Sequence, residues 1–232
     1  MVKSGLRAID DVLFKGLGCP PGSFLELYGE SQSGKTALAL SFCSQELERG
    51  GQVGWVATEQ NLTNANLRWA GLQKRSLTIA RQSPHYGGLL LATALVEWGA
   101  RLVVIDSLTA LMEGERPLFE VLAGGLPTLK EAARRKGAVV VWTNQVRNSL
   151  RRVQTPSGLS AITLKSVDAR IKLVTTEGLY RGGLQRGVRI AFTVVKNGTD
   201  MTTWGQCGRF NLLWEGGVRD VQLRKVDVQV NE

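Results

Sequence analysis

Phe24-Leu25-Glu26-Leu27-Tyr28-Gly29-Glu30-Ser31-Gln32-Ser33-Gly34-Lys35-Thr36-Ala37-Leu38-Ala39-Leu40-Ser41 decides the fold of this chain. Within it Gly29, Glu30, Ser31, Gln32, Ser33, Gly34, Lys35 and Thr36 fit the pattern G-x-x-x-x-G-K-[ST], a loop whose backbone N–H groups turn inward around phosphate oxygens. Such a loop needs glycine where φ is positive or where the backbone must approach the ligand closely. Lys35 supplies a point charge for the β- and γ-phosphates. Thr36 offers a hydroxyl to Mg²⁺, at the start of a helix whose dipole is positive at that end. An apolar, β-rich run precedes the loop and a helical pattern follows it, with Leu40, Cys43 and Leu47 on one face and Gly50-Gly51 as the stop. A chance glycine turn would not carry both flanks, so the stretch implies a bound nucleotide.

Working outward, the 232 residues suit one domain over residues 1–232, large enough to bury roughly 70–75% of its unfolded surface without disulfide staples. Cys19, Cys43 and Cys207 are odd in number and lack a C-x-x-C spacing, and Cys43 falls in an apolar helical stripe, so burial is expected rather than metal or redox work. No stretch approaches the roughly 18 apolar residues of a membrane span, and Met1-Val2-Lys3-Ser4-Gly5 lacks the apolar core of a leader. A soluble, cytoplasmic protein with no membrane partner is expected. The formal net charge of +9 favours polyanions, nucleic acid first among them.

Ser4 to Leu13 reads as a short capped helix, and Gly16 to Gly22 turns the chain into the first strand. Gln52 to Ala57 is a second strand that delivers Thr58-Glu59-Gln60 to the sheet edge where open α/β folds place their ligands. Leu77 to Ala80 is a third strand, and Leu89 to Trp98 an apolar helix. Leu102-Val103-Val104-Ile105-Asp106 is too apolar for a half-exposed strand and suits the centre of a parallel sheet. Beside a phosphate loop, Asp106 is expected to orient the Mg²⁺ shell. After an unassigned segment, Met112 to Gly125, a charged helix is expected from about Pro127 to Lys136. Ala138 to Thr143 is another buried strand, ending in Asn144-Gln145. Glu59, Asp106 and Gln145, at three strand tips, should converge on one nucleotide. The βα repetition predicts an α/β fold, a mostly parallel sheet with helices on both faces. Arg170–Val174, Val188–Val195 and Arg209–Trp214 should extend it as antiparallel strands.

With these residues in place, the chain resembles the bacterial RecA recombinases over nearly its whole length. Ser4-Gly5-Leu6 to Asp10, Leu25 to Gly29 and Ser33-Gly34-Lys35-Thr36 look like that family's ATPase core. The resemblance implies a RecA-like P-loop NTPase core using ATP and Mg²⁺. By it, Glu59 is the glutamate that activates the attacking water, Asp106-Ser107 the magnesium carboxylate, and Asn144-Gln145 with Arg147 the γ-phosphate sensor. Thr155-Pro156-Ser157-Gly158 resembles the turn closing the second DNA-binding loop. Val194-Val195-Lys196-Asn197 resembles the strand whose lysine reaches ATP across a subunit interface. The chain departs from the pattern in several places. No polymerisation helix is expected before the core and no further domain after it. Gly198 stands where the family has a second lysine. Thr63 and Asn66 replace the acid and the aromatic that hold adenine.

Phosphoryl transfer to water depends on positioning and charge stabilisation, so Glu59, Lys35 and Gln145 are the candidate catalytic groups. Thr36 and Asp106 are the Mg²⁺ candidates; Asn144 and Lys196 join the loop among the ATP contacts. Arg147-Asn148-Ser149-Leu150-Arg151-Arg152 puts three guanidiniums in a loop leaving the sensor strand, and their planar forks suit phosphates. Arg147, Arg151 and Arg152 are therefore the candidate contacts to single-stranded DNA, with double-stranded DNA a further substrate. The leading expectation is an ATP-dependent DNA-binding protein of recombination or repair, a minimal recombinase or paralogue that hydrolyses ATP and self-associates or joins a recombinase partner. Its rivals are an ATP-binding accessory subunit of a recombinase or translesion polymerase that hydrolyses little, and a hexameric motor of the helicase or clock type.

Overall fold

The computed structural model describes residues 1–13, 16–58, 62–72, 77–83, 87–111, 117–145, 163, 165–198 and 201–221. Among them the strands are β1 (Phe24–Gly29), β2 (Val53–Ala57), β3 (Leu77–Arg81), β4 (Leu102–Asp106), β5 (Val139–Gln145), β6 (Ala169–Arg181), β7 (Leu184–Asn197), β8 (Cys207–Leu213) and β9 (Gly217–Asp220). The helices are α1 (Arg7–Asp10), α2 (Lys35–Glu48), α3 (Asn64–Trp69), α4 (Gly88–Glu97) and α5 (Leu118–Lys136). One sheet takes the order β3-β2-β4-β5-β1-β6-β7-β8-β9. It is parallel from β3 to β6 and antiparallel beyond.

Every residue of β1, β2 and β4 is buried, which is why β2 and most of β4 read as apolar runs rather than alternating ones; β1 is the same but for the buried Glu26. Alternation instead decides which of two cores a side chain enters. Leu25, Leu27, Val139 and Val141 pack with Leu38, Phe42 and Cys43 of α2. Phe24, Val140 and Trp142 face the other way, against Leu95 of α4 and Leu122 and Leu129 of α5. Burial pushes the Cys43 thiol well above its ordinary range, in keeping with a packing role.

Two expectations change. Helix α5 begins at Leu118, not near Pro127, and carries Pro127 in its interior. A glycine pair and a proline read as breakers, yet a Cβ on Gly125 would stand 2.6 Å from Leu89 of α4, so close helix packing explains that glycine. Strand β6 runs parallel to β1, with Leu25 opposite Ala169 and Gly29 opposite Leu173, so the antiparallel extension starts one strand later than expected.

Candidate nucleotide-binding site

The phosphate loop leaves β1 at Gly29, where a Cβ would meet the Leu173 carbonyl oxygen at 2.3 Å. Gly34, the residue before α2, has φ +85°, a left-handed conformation that glycine adopts without strain. Helix α2 then starts at Lys35, and the N–H groups of its first turn have no intrahelical acceptor. The Lys35 ammonium is buried and folds back into the loop, donating to the carbonyls of Gly29 at 3.1 Å and Glu30 at 2.5 Å. Thr175 of β6 braces the same loop by donating to the Gln32 carbonyl at 3.2 Å.

Thr36 Oγ1 donates to Asp106 Oδ2 at 3.0 Å, and Thr143 Oγ1 donates to Asp106 Oδ1. The tip of β4 and the head of α2 are thus joined beside the loop. The oxygens gathered here are hard ligands of the kind Mg²⁺ takes in small number from protein, the rest coming from phosphate and water. Among the described residues no group of three or more His, Cys, Asp or Glu could hold a metal, so a wholly protein-built cage is not what these residues offer.

The loop opens into a cavity of about 700 Å³. Ser31 to Thr36, Asp106, Ser107, Thr143 and Gln145 line its phosphate end, and Asn66, Trp69, Val188, Leu212 and Trp214 line the remainder. Both tryptophans escaped the reading of the sequence. The signal available was an indole three residues after Asn66, and a second one directly after the apolar run that became β8. Trp69 Nε1 donates to the Leu213 carbonyl at 2.7 Å, fixing α3 against β8.

The structure therefore brings together the loop, Asp106 and Gln145. Asn144, expected at the nucleotide, is not among the lining residues. It occupies the opposite sheet face, where its Nδ2 donates to Glu26 Oε1 at 2.7 Å, because neighbouring residues of a strand point to opposite faces. Glu26 is fully buried beside Arg170, whose Nε lies 2.6 Å from Glu26 Oε2 without hydrogen-bond alignment; the guanidinium stacks over Tyr28, 4.1 Å from the ring centroid. Lys196 lies at the other end of the sheet. It pairs with Arg170, which pairs with Glu26, three positions before Gly29, roughly 10 Å along the strands at about 3.3 Å per residue. Its ammonium donates to the Val167 carbonyl at 2.6 Å, and burial lowers its pKa against the pull of Asp168. Lys196, expected among the ATP contacts, is thus not among the residues lining the cavity. Glu59 and the arginines Arg147, Arg151 and Arg152 lie outside the described residues. Among the described residues, no helix is long and apolar enough to cross a membrane.

A family profile, the RecA N-terminal domain, matches residues 1–219. Protein RecA of Aquifex aeolicus is 29% identical over 214 residues, covering 84% of this chain and 61% of that one. Protein RecA of Bacillus velezensis is 30% identical over 213 residues, covering 84% and 60%. The chain thus spans about 60% of the length of these curated relatives. Among solved structures, the crystal structure of the RadB recombinase matches with a TM-score of 0.68 at 22% identity, over 96% of this chain and 100% of the other. At that identity the likeness speaks to fold.

Proposed function

Since the chain belongs to the RecA family, we propose that it is an ATP-dependent DNA-binding protein of recombination or repair, an ATPase that uses Mg²⁺ and binds single-stranded DNA. The observation that carries this reading is the closure of Thr36 and Thr143 on Asp106 at the mouth of the phosphate loop. It sets a hydroxyl and a carboxylate beside the place where the glycine-rich loop and the α2 N-terminus receive phosphate.

In this reading the loop N–H groups and Lys35 hold the β- and γ-phosphates; Lys35 exchanges its bonds to the Gly29 and Glu30 carbonyls for phosphate oxygens. Mg²⁺, when bound, would supply positive charge against the phosphates. Thr36 and Asp106, joined by their hydrogen bond, are the residues that would hold it. Gln145 lies at the cavity end of β5 and meets the terminal phosphate. Glu59, following β2, orients the attacking water. The aromatic faces of Trp69 and Trp214 give the base a wall to stack on. Asn144 has another part: it ties the strand that ends in Gln145 to Glu26, which lies beside Arg170, on the far face. Arg147, Arg151 and Arg152 follow Gln145 in sequence, so the loop that meets DNA begins next to the group that meets the terminal phosphate. Lys196 serves the nucleotide of a neighbouring copy or of a recombinase partner.

Steady-state turnover of Mg·ATP by purified protein, with and without single-stranded DNA, tests the proposal. Stimulation by DNA supports it. ATP binding without turnover would favour an accessory subunit instead.

A further inference from the structure

The end of the cavity remote from the phosphates is walled by Asn66 and Trp69 of α3 and by Leu212 and Trp214 around the end of β8. Asn66 and Trp69 are three residues apart on a helix and share a face, so an amide stands beside an indole. The orientation of that amide is fixed. The Thr63 backbone N–H, which can only donate, lies 2.9 Å from Asn66 Oδ1, and the Thr63 hydroxyl lies 2.6 Å from the same atom. In return the Asn66 backbone N–H donates to Thr63 Oγ1 at 3.2 Å, completing a capping box. The oxygen is committed to the helix cap. What the side chain has left for the cavity is its Nδ2, a donor without acceptor capacity. Among the described lining residues the one carboxylate is Asp106, and it sits at the phosphate end in the grip of Thr36 and Thr143.

An adenine base is told from guanine at its six-position, where adenine has an amine that donates and guanine an oxygen that accepts. Selecting adenine there takes an acceptor. We infer that Asn66 presents a donor to the base edge, so the site accepts 6-keto purine nucleoside triphosphates, guanosine or inosine, on equal terms with ATP. Adenine meets the same Nδ2 through a ring nitrogen, and the tryptophan wall stacks on either purine. The inference rests on reading the cavity as a nucleotide site and concerns the base that this site admits.

The test is isothermal titration of the full chain with Mg·ATP, Mg·GTP and Mg·ITP, beside Asn66→Asp. The substitution is isosteric, keeps an oxygen for the Thr63 N–H, and turns an acceptor in place of a donor toward the cavity. The parent protein should bind the three nucleotides within about threefold of one another. Asn66→Asp should favour ATP over GTP by about tenfold, the weight of one hydrogen bond granted to one base and denied to the other. A parent that prefers ATP by about tenfold or more overturns the inference and leaves the nucleotide site standing; this arm needs no variant. An unchanged ratio in a folded Asn66→Asp protein overturns it as well. Failure of all three nucleotides to bind removes the site itself, and this inference with it.

Discussion

Thr36 Oγ1 and Asp106 Oδ2 are 3.0 Å apart although 70 positions separate them in the chain. The contact closes only if β4 and the head of α2 meet at the same edge of the sheet, and it puts a metal-ligating hydroxyl and a carboxylate on one hydrogen bond. Asp106→Asn keeps the shape and removes the charge. Titration of Mg²⁺ at fixed ATP should then show half-saturation raised by about tenfold, as the loss of a charge-assisted interaction implies, with the melting temperature little changed. An unaltered Mg²⁺ requirement would place the metal elsewhere.

Glu59→Gln should leave ATP affinity intact and slow turnover by at least about tenfold, since losing a base or water-orienting group typically costs on the order of 10² to 10⁴. Single-turnover kinetics with saturating ATP separates the two steps. An unchanged rate would move the water-orienting role to another residue.

Arg170 and Glu26, both fully buried, form a pair whose halves depend on each other. Arg170→Met should destabilise the fold by about 3–5 kcal/mol because it strands the Glu26 carboxylate, whereas adding Glu26→Leu should recover much of the loss. Urea unfolding of the single and double variants checks this; equal stability of the two would show that the carboxylate is not stranded.

Replacing Arg147, Arg151 and Arg152 together by alanine should weaken single-stranded DNA binding more than ATP binding. If each guanidinium neutralises one phosphate, the salt dependence should flatten by about two units of log–log slope, at roughly 0.7 per phosphate. Fluorescence anisotropy with a non-hydrolysable ATP analogue measures it, and an equal slope in the two proteins would send DNA to another surface.

Much of the fold and of the phosphate end of the site was legible in the residues. The loop from Gly29 to Thr36 announces itself because few residue types satisfy its backbone, and Leu102 to Asp106 because its four apolar residues before the tip suit a strand covered on both faces. Asn144 shows where reading stops. Its place beside Gln145 suggests a shared ligand, but adjacent strand residues take opposite faces, and its partner Glu26 lies 118 positions before it. Helix α5 was hidden by Gly124, Gly125 and Pro127, which read as breakers until the close approach of Leu89 is seen. The tryptophan wall was hidden because Trp69 and Trp214 meet only through the fold, with Trp69 anchored to the carbonyl just before Trp214.

The most direct measurement of the central claim is Mg·ATP turnover by the parent protein and by Lys35→Ala, each with and without single-stranded DNA. The Lys35 ammonium folds back on the loop that carries it rather than filling either apolar core, so its loss should leave the melting temperature within a few degrees of the parent's. The account predicts turnover in the parent that rises with DNA, and none in a folded Lys35→Ala protein at either condition. Equal turnover in the two proteins, or a parent that neither binds nor hydrolyses ATP with DNA present, would contradict it.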